Sequence, residues 1–202
     1  LAIHLDREAN KQRSINPQKD VVPLVMLGDA TGFDFKSWLA EKLAEQDKTC
    51  VGARVMDYEL SLYDTQPPAL VGIDRSFITS ARLDNLLSCY AGLRAIIDAQ
   101  EAEWSMLVTT DHEEVGSAST IGAQGPMLMD ALTALAPDPL LNQQLRNESW
   151  MLSVDNAHAV HPNYAQKHDE HHSPKLGEGA VIKVNRNQRY ATDSEGAARL
   201  RL

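Results

Sequence analysis

Long apolar runs are missing from this sequence, and their absence limits the classes of protein to consider. Residues 21–27, VVPLVML, form a much shorter run than the roughly 20 apolar residues that a membrane-spanning helix requires. No basic-then-apolar segment opens the chain, as it would in a secretory signal. We therefore expect a soluble protein with no membrane partner.

Cysteine is also scarce, because Cys50 and Cys89 are the only two in the sequence. Small secreted domains are usually held together by several disulfides, and two cysteines cannot supply such a framework. The composition favours a reducing compartment, and we predict a cytoplasmic protein.

Positive charge is in deficit, with 19 Lys and Arg against 28 Asp and Glu, a formal net charge of -9. Binding to nucleic-acid phosphates needs a stripe of basic side chains that displaces counterions. We therefore predict no nucleic-acid partner. The chain does have enough apolar content, 43% of 202 residues, for one domain or for one domain and a smaller one. It begins abruptly at Leu1 rather than Met, so we expect it to be part of a longer protein.

The first part of the chain contains one predicted helix and one predicted strand. Asp34 can cap a helix whose apolar side chains recur at near-helical spacing, namely Phe35, Trp38, Leu39 and Leu43. Residues 56–62 alternate between apolar and polar, which predicts a half-buried strand. Residues 64–68, DTQPP, then interrupt regular structure. We place a domain boundary at about residue 72, which gives parts 1–72 and 73–202.

The second part alternates between predicted helices and predicted strands. The helices are residues 83–97 and 125–135, the latter stopped by Pro137. The strands are residues 104–110 (WSMLVTT), 150–154 (WMLSV) and 180–185 (AVIKVN). This alternation predicts an α/β fold with a largely parallel sheet. Ligands of such folds bind where strands end, so the acidic residues that follow the first two strands are the first candidates for a site.

Glu113 and Glu114 follow the first of those strands in the segment DHEEVGS. If the chain turns at Val-Gly-Ser, one glutamate can bind a metal ion. Its neighbour can then take a proton from a water molecule whose pKa the metal lowers. The alternative is a solvated acidic turn with no ligand.

Asp84 and Asp155 complete the set of candidate acids. Two metal ions about 3.5 to 4 Å apart usually need a shared carboxylate, and Asp84 at the head of a helix could provide it. The alternative for Asp84 is a helix cap. Asp155 precedes His158 and His161, and the alternative there is a structural turn whose histidines bond to the backbone.

Several segments together resemble the aspartyl aminopeptidase family of zinc metallopeptidases. In family order they are LAIHL, DTQP, RLDN, D-x-EEVGS, D-x-AHAVHPNY and VIKVN-x-x-QRYA, and they run from residue 1 to about residue 196. The resemblance implies an α/β/α zinc-peptidase domain with a mostly parallel central sheet, here residues 73–202. It also implies an inserted, β-rich dimerisation domain, here residues 1–72. Its members assemble from dimers into a tetrahedral dodecamer.

The resemblance also implies a role for each matching residue. Asp84 corresponds to the ligand that bridges two zinc ions, Glu114 and Asp155 to ligands of one ion each, and Glu113 to the general base. The implied substrate-binding residues are His4, which would reach the active site of a dimer partner, His158, His161 and Lys183. The implied reaction is release of an N-terminal Asp or Glu from a peptide, and Lys183 would bind the acidic side chain of the substrate.

Other interpretations stay open at this point. His4 could be a packed histidine and Lys183 an exposed strand lysine. The family's two histidine ligands would lie before LAIHL and near the far C-terminus, so this chain would supply Asp84, Glu114 and Asp155 only, and we expect weak metal binding from it alone. Manganese or cobalt could replace zinc. The alternative functions are another binuclear zinc exopeptidase or deacylase, or a non-catalytic assembly module.

Overall fold

The computed structural model describes residues 2–28, 31–99 and 104–202 of the chain. It divides into two compact units, Leu1–Tyr63 and Asp64–Leu202. Leu1, the first residue of the LAIHL segment, lies outside the described residues. Among the described helices, none is both long enough and apolar enough to cross a membrane.

The first unit is organised around one amphipathic helix. Helix α1 spans Pro17–Asp20, α2 spans Phe35–Gln46, and a short 3-10 helix spans Lys48–Cys50. The carboxylate of Asp34 accepts the backbone N–H groups of Lys36 and Ser37, which are free donors at the start of α2. This confirms the predicted cap and helix.

An aromatic contact fixes the segment after α2 against the beginning of that helix. The ring of Phe35 lies 5.3 Å from that of Tyr58 and 5.4 Å from that of Trp38. Lys36 Nζ donates to the carbonyl of Met56 at 2.6 Å. Individual side chains therefore make the contacts between α2 and the segment around Tyr58. The described residues of this segment form no strand pairing.

The strand predicted at residues 56–62 is absent from the structure. Met56, Leu60 and Leu62 are 67%, 63% and 74% exposed, so the apolar face predicted from the alternation is not buried. A strand also needs a neighbouring strand for its backbone hydrogen bonds. The described residues of the first unit form helices and irregular backbone, so the β-rich character expected of residues 1–72 is not seen there.

The second unit begins with a hairpin that the sequence patterns did not indicate. Strand β1, Ala69–Val71, pairs antiparallel with β2, Phe77–Thr79, with Leu70 opposite Ile78. Within the described residues this is the only sheet, and it has two strands. The division into two compact units places β1 in the second unit. The boundary predicted from the sequence, at about residue 72, placed the same residues in the first part. The roles predicted for the two parts stay predictions.

Helix α3, Leu83–Asp98, is the longest helix described and confirms the helix predicted at 83–97. Arg82 before it has a left-handed backbone with φ of 60°, and Asp84 and Asn85 have non-helical dihedral angles. Regular helical geometry therefore starts at Leu86, and Asp84 lies in an irregular first turn.

Gly92 allows residue 107 to approach α3 closely. A Cβ atom placed on Gly92 would lie 2.8 Å from a methyl carbon of Leu107. Because atoms this close must move apart, a larger residue at position 92 would displace the side chain of Leu107. The absent side chain thus leaves room for Leu107 against α3.

Three further helices follow. They are α4 at Met127–Leu135, α5 at Pro139–Glu148 and α6 at Ser194–Arg199. Helix α4 confirms the predicted helix that Pro137 ends. Helix α5 was not predicted, although Asp138 and Pro139 are favoured residue types for an N-cap and a first helical position. The carboxylate of Asp138 accepts the N–H groups of Leu140 and Leu141.

Asn142 joins α5 to the end of α4. It is 8% exposed, and its Nδ2 donates to the carbonyls of Leu132 at 3.0 Å and Ala136 at 3.2 Å. Carbonyls at a helix C-terminus have no partner inside the helix. The side chain of Asn142 donates to both carbonyls, although that of Leu132 also accepts the backbone N–H of Ala136. Ala136 itself is 4% exposed.

We expect Asn142→Ala to lower the free energy of unfolding by about 1 to 3 kcal/mol, because the carbonyl of Ala136 loses its side-chain donor and that of Leu132 loses one of two donors. Urea unfolding of the intact protein measures this change. Asn147→Ala is the matched control, since Asn147 is exposed on the same helix. The control should change stability by less than about 0.5 kcal/mol. Equal stability of the two variants would contradict the assigned role.

The three strands predicted at residues 104–110, 150–154 and 180–185 are not strands in the structure. Met151 and Val184 in these segments are 73% and 69% exposed. Their apolar patterns are typical of sheet residues, but a strand forms only where another backbone lies alongside it. The largely parallel sheet that depended on these strands is therefore not seen in the described part of the chain.

Candidate metal centre

Two segments distant in sequence meet at the start of α3. Asn85 Nδ2 donates to the carbonyl of Val154 at 3.2 Å, and Asn156 Nδ2 donates to the carbonyl of Leu83 at 2.9 Å. Ser88 Oγ donates to Asn156 Oδ1 at 3.1 Å. These side-chain bonds position residues 154–156 against the irregular first turn of the helix.

The carboxyl group of Asp84 lies near that of Asp155, close enough to help lower the pKa of Asp155. Two neighbouring carboxylates repel each other when both are ionised, unless a cation or a proton compensates the charge. The structure thus brings together two of the three predicted metal ligands, which lie in different segments of the chain.

Lys183 supplies a positive charge at this pair. Its Nζ donates to Asp155 Oδ2 at 3.1 Å and to the carbonyl of Asn156 at 2.6 Å. The side chain of Lys183 is 26% exposed and that of Asp155 is 50% exposed. The ring of Tyr190 lies 5.8 Å from Nζ, at a distance where a cation and an aromatic face attract each other.

The surroundings of Asp155 act on its pKa in opposite directions. Partial burial raises the pKa of Asp155 because it disfavours the charged form. The hydrogen bond and the charge of Lys183, the N–H of Asn156 and the side chain of Asp84 lower it by more. The pKa of Asp155 therefore lies below its ordinary value, and the carboxylate is charged at neutral pH.

Glu113 and Glu114 lie on a 3-10 helix at Glu113–Val115. His112 before it and Gly116 after it both have left-handed backbones, with φ of 60° and 99°. The chain therefore turns sharply on both sides of the glutamates, as the Val-Gly-Ser sequence predicted. Both glutamates are exposed.

The turn that carries these glutamates is closed by its own hydrogen bonds. His112 Nδ1 lies 2.7 Å from Ser119 Oγ, and the N–H of Ser117 donates to the carbonyl of His112 at 2.9 Å. Gln124 Nε2 donates to the carbonyl of Gly116 at 3.1 Å. Residues 112–124 thus form a loop with an internally fixed shape.

The structure does not unite all the predicted site residues. No group of three or more potential metal ligands occurs within the described ranges 2–28, 31–99 and 104–202. Asp84, Asp155 and Lys183 form one cluster, and Glu113 and Glu114 lie on their own loop. His4 is exposed in the first unit. His158 and His161 are exposed in the second unit.

His161 has a structural role as well as a predicted one. Its Nδ1 accepts the N–H of Asn163 at 3.1 Å, at the start of a 3-10 helix spanning Pro162–Lys167. Its ring lies 5.5 Å from that of Tyr164. This is the backbone bonding that the alternative interpretation of the histidines expected for His161, and its substrate contact stays a prediction.

Two asparagines in the site were missed by the sequence analysis. Asn85 and Asn156 each follow a candidate ligand directly, in the pairs Asp84-Asn85 and Asp155-Asn156. The repeated Asp-Asn pair is a signal that could have identified them. In both pairs the asparagine side chain bonds to the opposite segment and so holds the preceding aspartate in place.

The two aspartates are donors of a type that metal ions bind. Asp84 and Asp155 place carboxylate oxygens together, and such oxygens bind zinc and other divalent cations. Asn85 Oδ1 is buried and accepts no hydrogen bond from the described residues. A buried acceptor without a donor, on the residue that follows Asp84, is an environment that a bound cation would stabilise.

Known proteins resemble this chain over its whole length. The profile of the family described as Aminopeptidase I zinc metalloprotease (M18) matches residues 1–202. The chain belongs to the M18 family. M18 relatives include the Probable M18 family aminopeptidase 2 of Stutzerimonas stutzeri (strain A1501), 54% identical over 198 residues. These residues are 98% of this chain and 46% of that relative. The protein of the same name from Azotobacter vinelandii is 52% identical over 199 residues, with the same two shares.

Solved M18 structures share the fold of this chain. A chain in the cryo-EM structure of the Ape4 and Nbr1 complex has a TM-score of 0.80 and 32% identity. The match covers 100% of this M18 chain and 43% of that one. The crystal structure of prApe1 has a TM-score of 0.76 at 22% identity, covering 100% and 47%, and supports the fold alone. The fold class is therefore α/β, and the chain spans less than half the length of the relatives it matches.

Proposed function

We propose that this M18 chain is part of a zinc aminopeptidase that releases N-terminal Asp and Glu residues from peptides in the cytoplasm. The observation that carries the proposal is that Asp84 and Asp155 lie near each other in a chain that matches the zinc metalloprotease family over residues 1–202. The names of the curated relatives support an aminopeptidase. The preference for acidic residues rests on Lys183 and on the resemblance of its VIKVN segment.

In this proposal Asp84, Asp155 and Glu114 would hold the zinc. Bound zinc would polarise the scissile carbonyl and lower the pKa of the attacking water. Glu113 would take a proton from the attacking water and pass it to the leaving amine. The turn after His112 supports this division of roles, because it lets two adjacent glutamates serve one site rather than opposite faces of a strand.

Substrate binding would use side chains around this cluster. Lys183 is the cation nearest to Asp155, and an ammonium in a partly buried position can bind the carboxylate of an acidic substrate. His158 and His161 would line the same pocket. His4 would complete the active site of a second subunit, so the working enzyme would be a homo-oligomer, with the dodecamer as its expected form.

A panel of aminoacyl substrates tests this function on the intact protein loaded with zinc. We expect kcat/KM for aspartyl and glutamyl substrates to exceed that for leucyl by at least about tenfold, because one hydrogen bond to a charged group contributes about 1.5 kcal/mol. A metal chelator should abolish all three activities. Equal rates for the three substrates would exclude the acidic preference, and chelator-resistant cleavage would exclude metal dependence.

A further inference from the structure

The turn around Glu113 uses backbone conformations that ordinary side chains avoid. His112 and Ser117 have left-handed backbones with φ of 60° and 61°, and neither is a glycine. A non-glycine residue in this conformation costs free energy and persists only where surrounding contacts hold it. The sharp turn at Glu113 therefore depends on contacts made by other residues of the loop 112–124.

Ser119 makes a side-chain contact that ties the start of this turn to a later part of the loop. Its Oγ lies 2.7 Å from Nδ1 of His112, the residue directly before Glu113. A serine hydroxyl can donate or accept, so the bond can form with either neutral tautomer of the imidazole. Ser119 is half-buried, whereas His112 is exposed. The half-buried hydroxyl thus gives the exposed ring a fixed attachment point.

Other contacts hold the loop through its backbone. The N–H of Gln124 donates to the carbonyl of Ser117 at 3.1 Å. A Cβ atom placed on Gly122 would lie 2.3 Å from the same carbonyl oxygen, so the chain returns close against the turn. These contacts do not involve the Ser119 side chain. Loss of its hydroxyl should therefore loosen the turn at His112 without unfolding the loop.

The carboxylate of Glu113 depends on this turn for its position. Glu113 is exposed, so packing of its side chain does not fix the carboxylate. The backbone of the turn sets its position instead, and the bond between His112 and Ser119 holds that backbone on one side. Misplacing a catalytic group by about 1 Å can cost roughly a hundredfold in rate. A contact that fixes the turn would therefore affect any proton transfer by Glu113.

We propose that Ser119 is a positioning residue that holds the turn at Glu113, the proposed general base, through its hydrogen bond to His112. The effect on turnover rests on the proposed function, whereas the holding of the turn does not. In this role Ser119 does not contact the substrate. It acts through His112 on the place from which Glu113 takes its proton.

Amide hydrogen exchange of the intact protein tests whether Ser119 holds the turn. The N–H of Ser117 donates to the carbonyl of His112 at 2.9 Å, so its exchange reports opening of the turn. We expect Ser119→Ala to speed this exchange by at least about fivefold, because loss of one hydrogen bond makes the opening easier. Ser119→Thr keeps the hydroxyl and should exchange like the unsubstituted protein. Unchanged exchange in Ser119→Ala would overturn the proposal.

Steady-state kinetics with an aspartyl substrate tests whether the turn positions the base. We expect Ser119→Ala to lower kcat at least about tenfold and to change KM by less than about twofold, because the proposed substrate-binding residues lie outside the loop. Ser119→Thr should restore most of the lost kcat. A kcat equal to that of the unsubstituted protein, or a change confined to KM, would overturn the positioning role.

Two further variants make the result decisive. Thr120→Ala removes a hydroxyl from the next residue of the loop, which is exposed, and should leave both exchange and kcat unchanged. A loss in Thr120→Ala as large as that in Ser119→Ala would contradict the proposal. His112→Phe keeps a flat ring without the nitrogen that bonds to Ser119, and it decides the matter if Ser119→Ala fails to fold. Normal exchange and kcat in His112→Phe would then overturn the proposal.

The outcome is separable from the fate of the proposed function. Amide exchange is measured without turnover, so it decides the holding of the turn even if no acidic substrate is cleaved. Faster exchange with unchanged kcat in Ser119→Ala would overturn the positioning role and leave the aminopeptidase function standing. Near-normal turnover of Glu113→Gln would instead exclude Glu113 as the base, and with it the effect of Ser119 on turnover.

Discussion

Replacing Glu113 with glutamine is expected to lower kcat at least about a hundredfold in the intact protein, with metal content unchanged. This is the scale of one general base, since glutamine has the shape of glutamate but cannot take a proton. The loop should keep its shape, because it is closed by His112 with Ser119 and by Gln124 with Gly116, bonds that do not involve the Glu113 side chain. Steady-state kinetics and elemental analysis of the same preparation measure the two quantities.

Glu114→Gln is the matched control for this experiment. It makes the same chemical change one residue along the same 3-10 helix. As a predicted ligand, Glu114 should lose metal, whereas Glu113→Gln should keep it. Near-normal turnover of Glu113→Gln would show that the general base is another group. Loss of metal from Glu113→Gln would instead make Glu113 the metal ligand and Glu114 the general base.

Asp84→Ala is expected to reduce zinc affinity by more than about a hundredfold. Loss of a residue that only supports a metal ligand typically costs 10- to 100-fold, and Asp84 is proposed as a ligand itself. Elemental analysis of protein purified without added zinc gives the result.

Asp98→Ala controls for the general effect of removing an acid from α3. Asp98 is 59% exposed and pairs with Arg94 on the surface of the same helix. Exposed pairs of this kind contribute little to stability, so this variant should keep full zinc content. Zinc content that is the same in Asp84→Ala and Asp98→Ala, both folded, would remove Asp84 from the metal site.

Helices were predicted well because their signals are local. Asp34 is an N-cap followed by an apolar stripe, and α3 and α4 carry the same kind of stripe. Each pattern lies within one stretch of chain, where the helix also makes its hydrogen bonds. Helix α5 was missed because its start, Asp138-Pro139, directly follows the Pro137 that ends α4.

Strands were predicted poorly because their hydrogen bonds come from elsewhere in the chain. Residues 150–154 have a typical strand composition, but composition does not identify the backbone that would pair with them. In the described part of the chain, side-chain hydrogen bonds position these residues instead. For example, Asn85 Nδ2 donates to the carbonyl of Val154. The hairpin of β1 and β2 was missed because each strand has three residues, too short for an alternating pattern.

The site was partly predictable for a similar reason. Motifs around Asp84 and Asp155 pointed to a shared site, and the structure brings these two residues together. The ion pair between Lys183 and Asp155 could not be foreseen, because the two residues are 28 positions apart and no pattern links them. The metal roles of Glu113 and Glu114 remain predictions.

The bonds that join Asn85 to Val154 and Asn156 to Leu83 span 69 and 73 residues of chain. Closing a loop of that length costs entropy that a helix, built from neighbours four residues apart, does not require. During folding, α3 should therefore form before Asp155 reaches it. The two acids would come together late, after the helix that receives them is already in place.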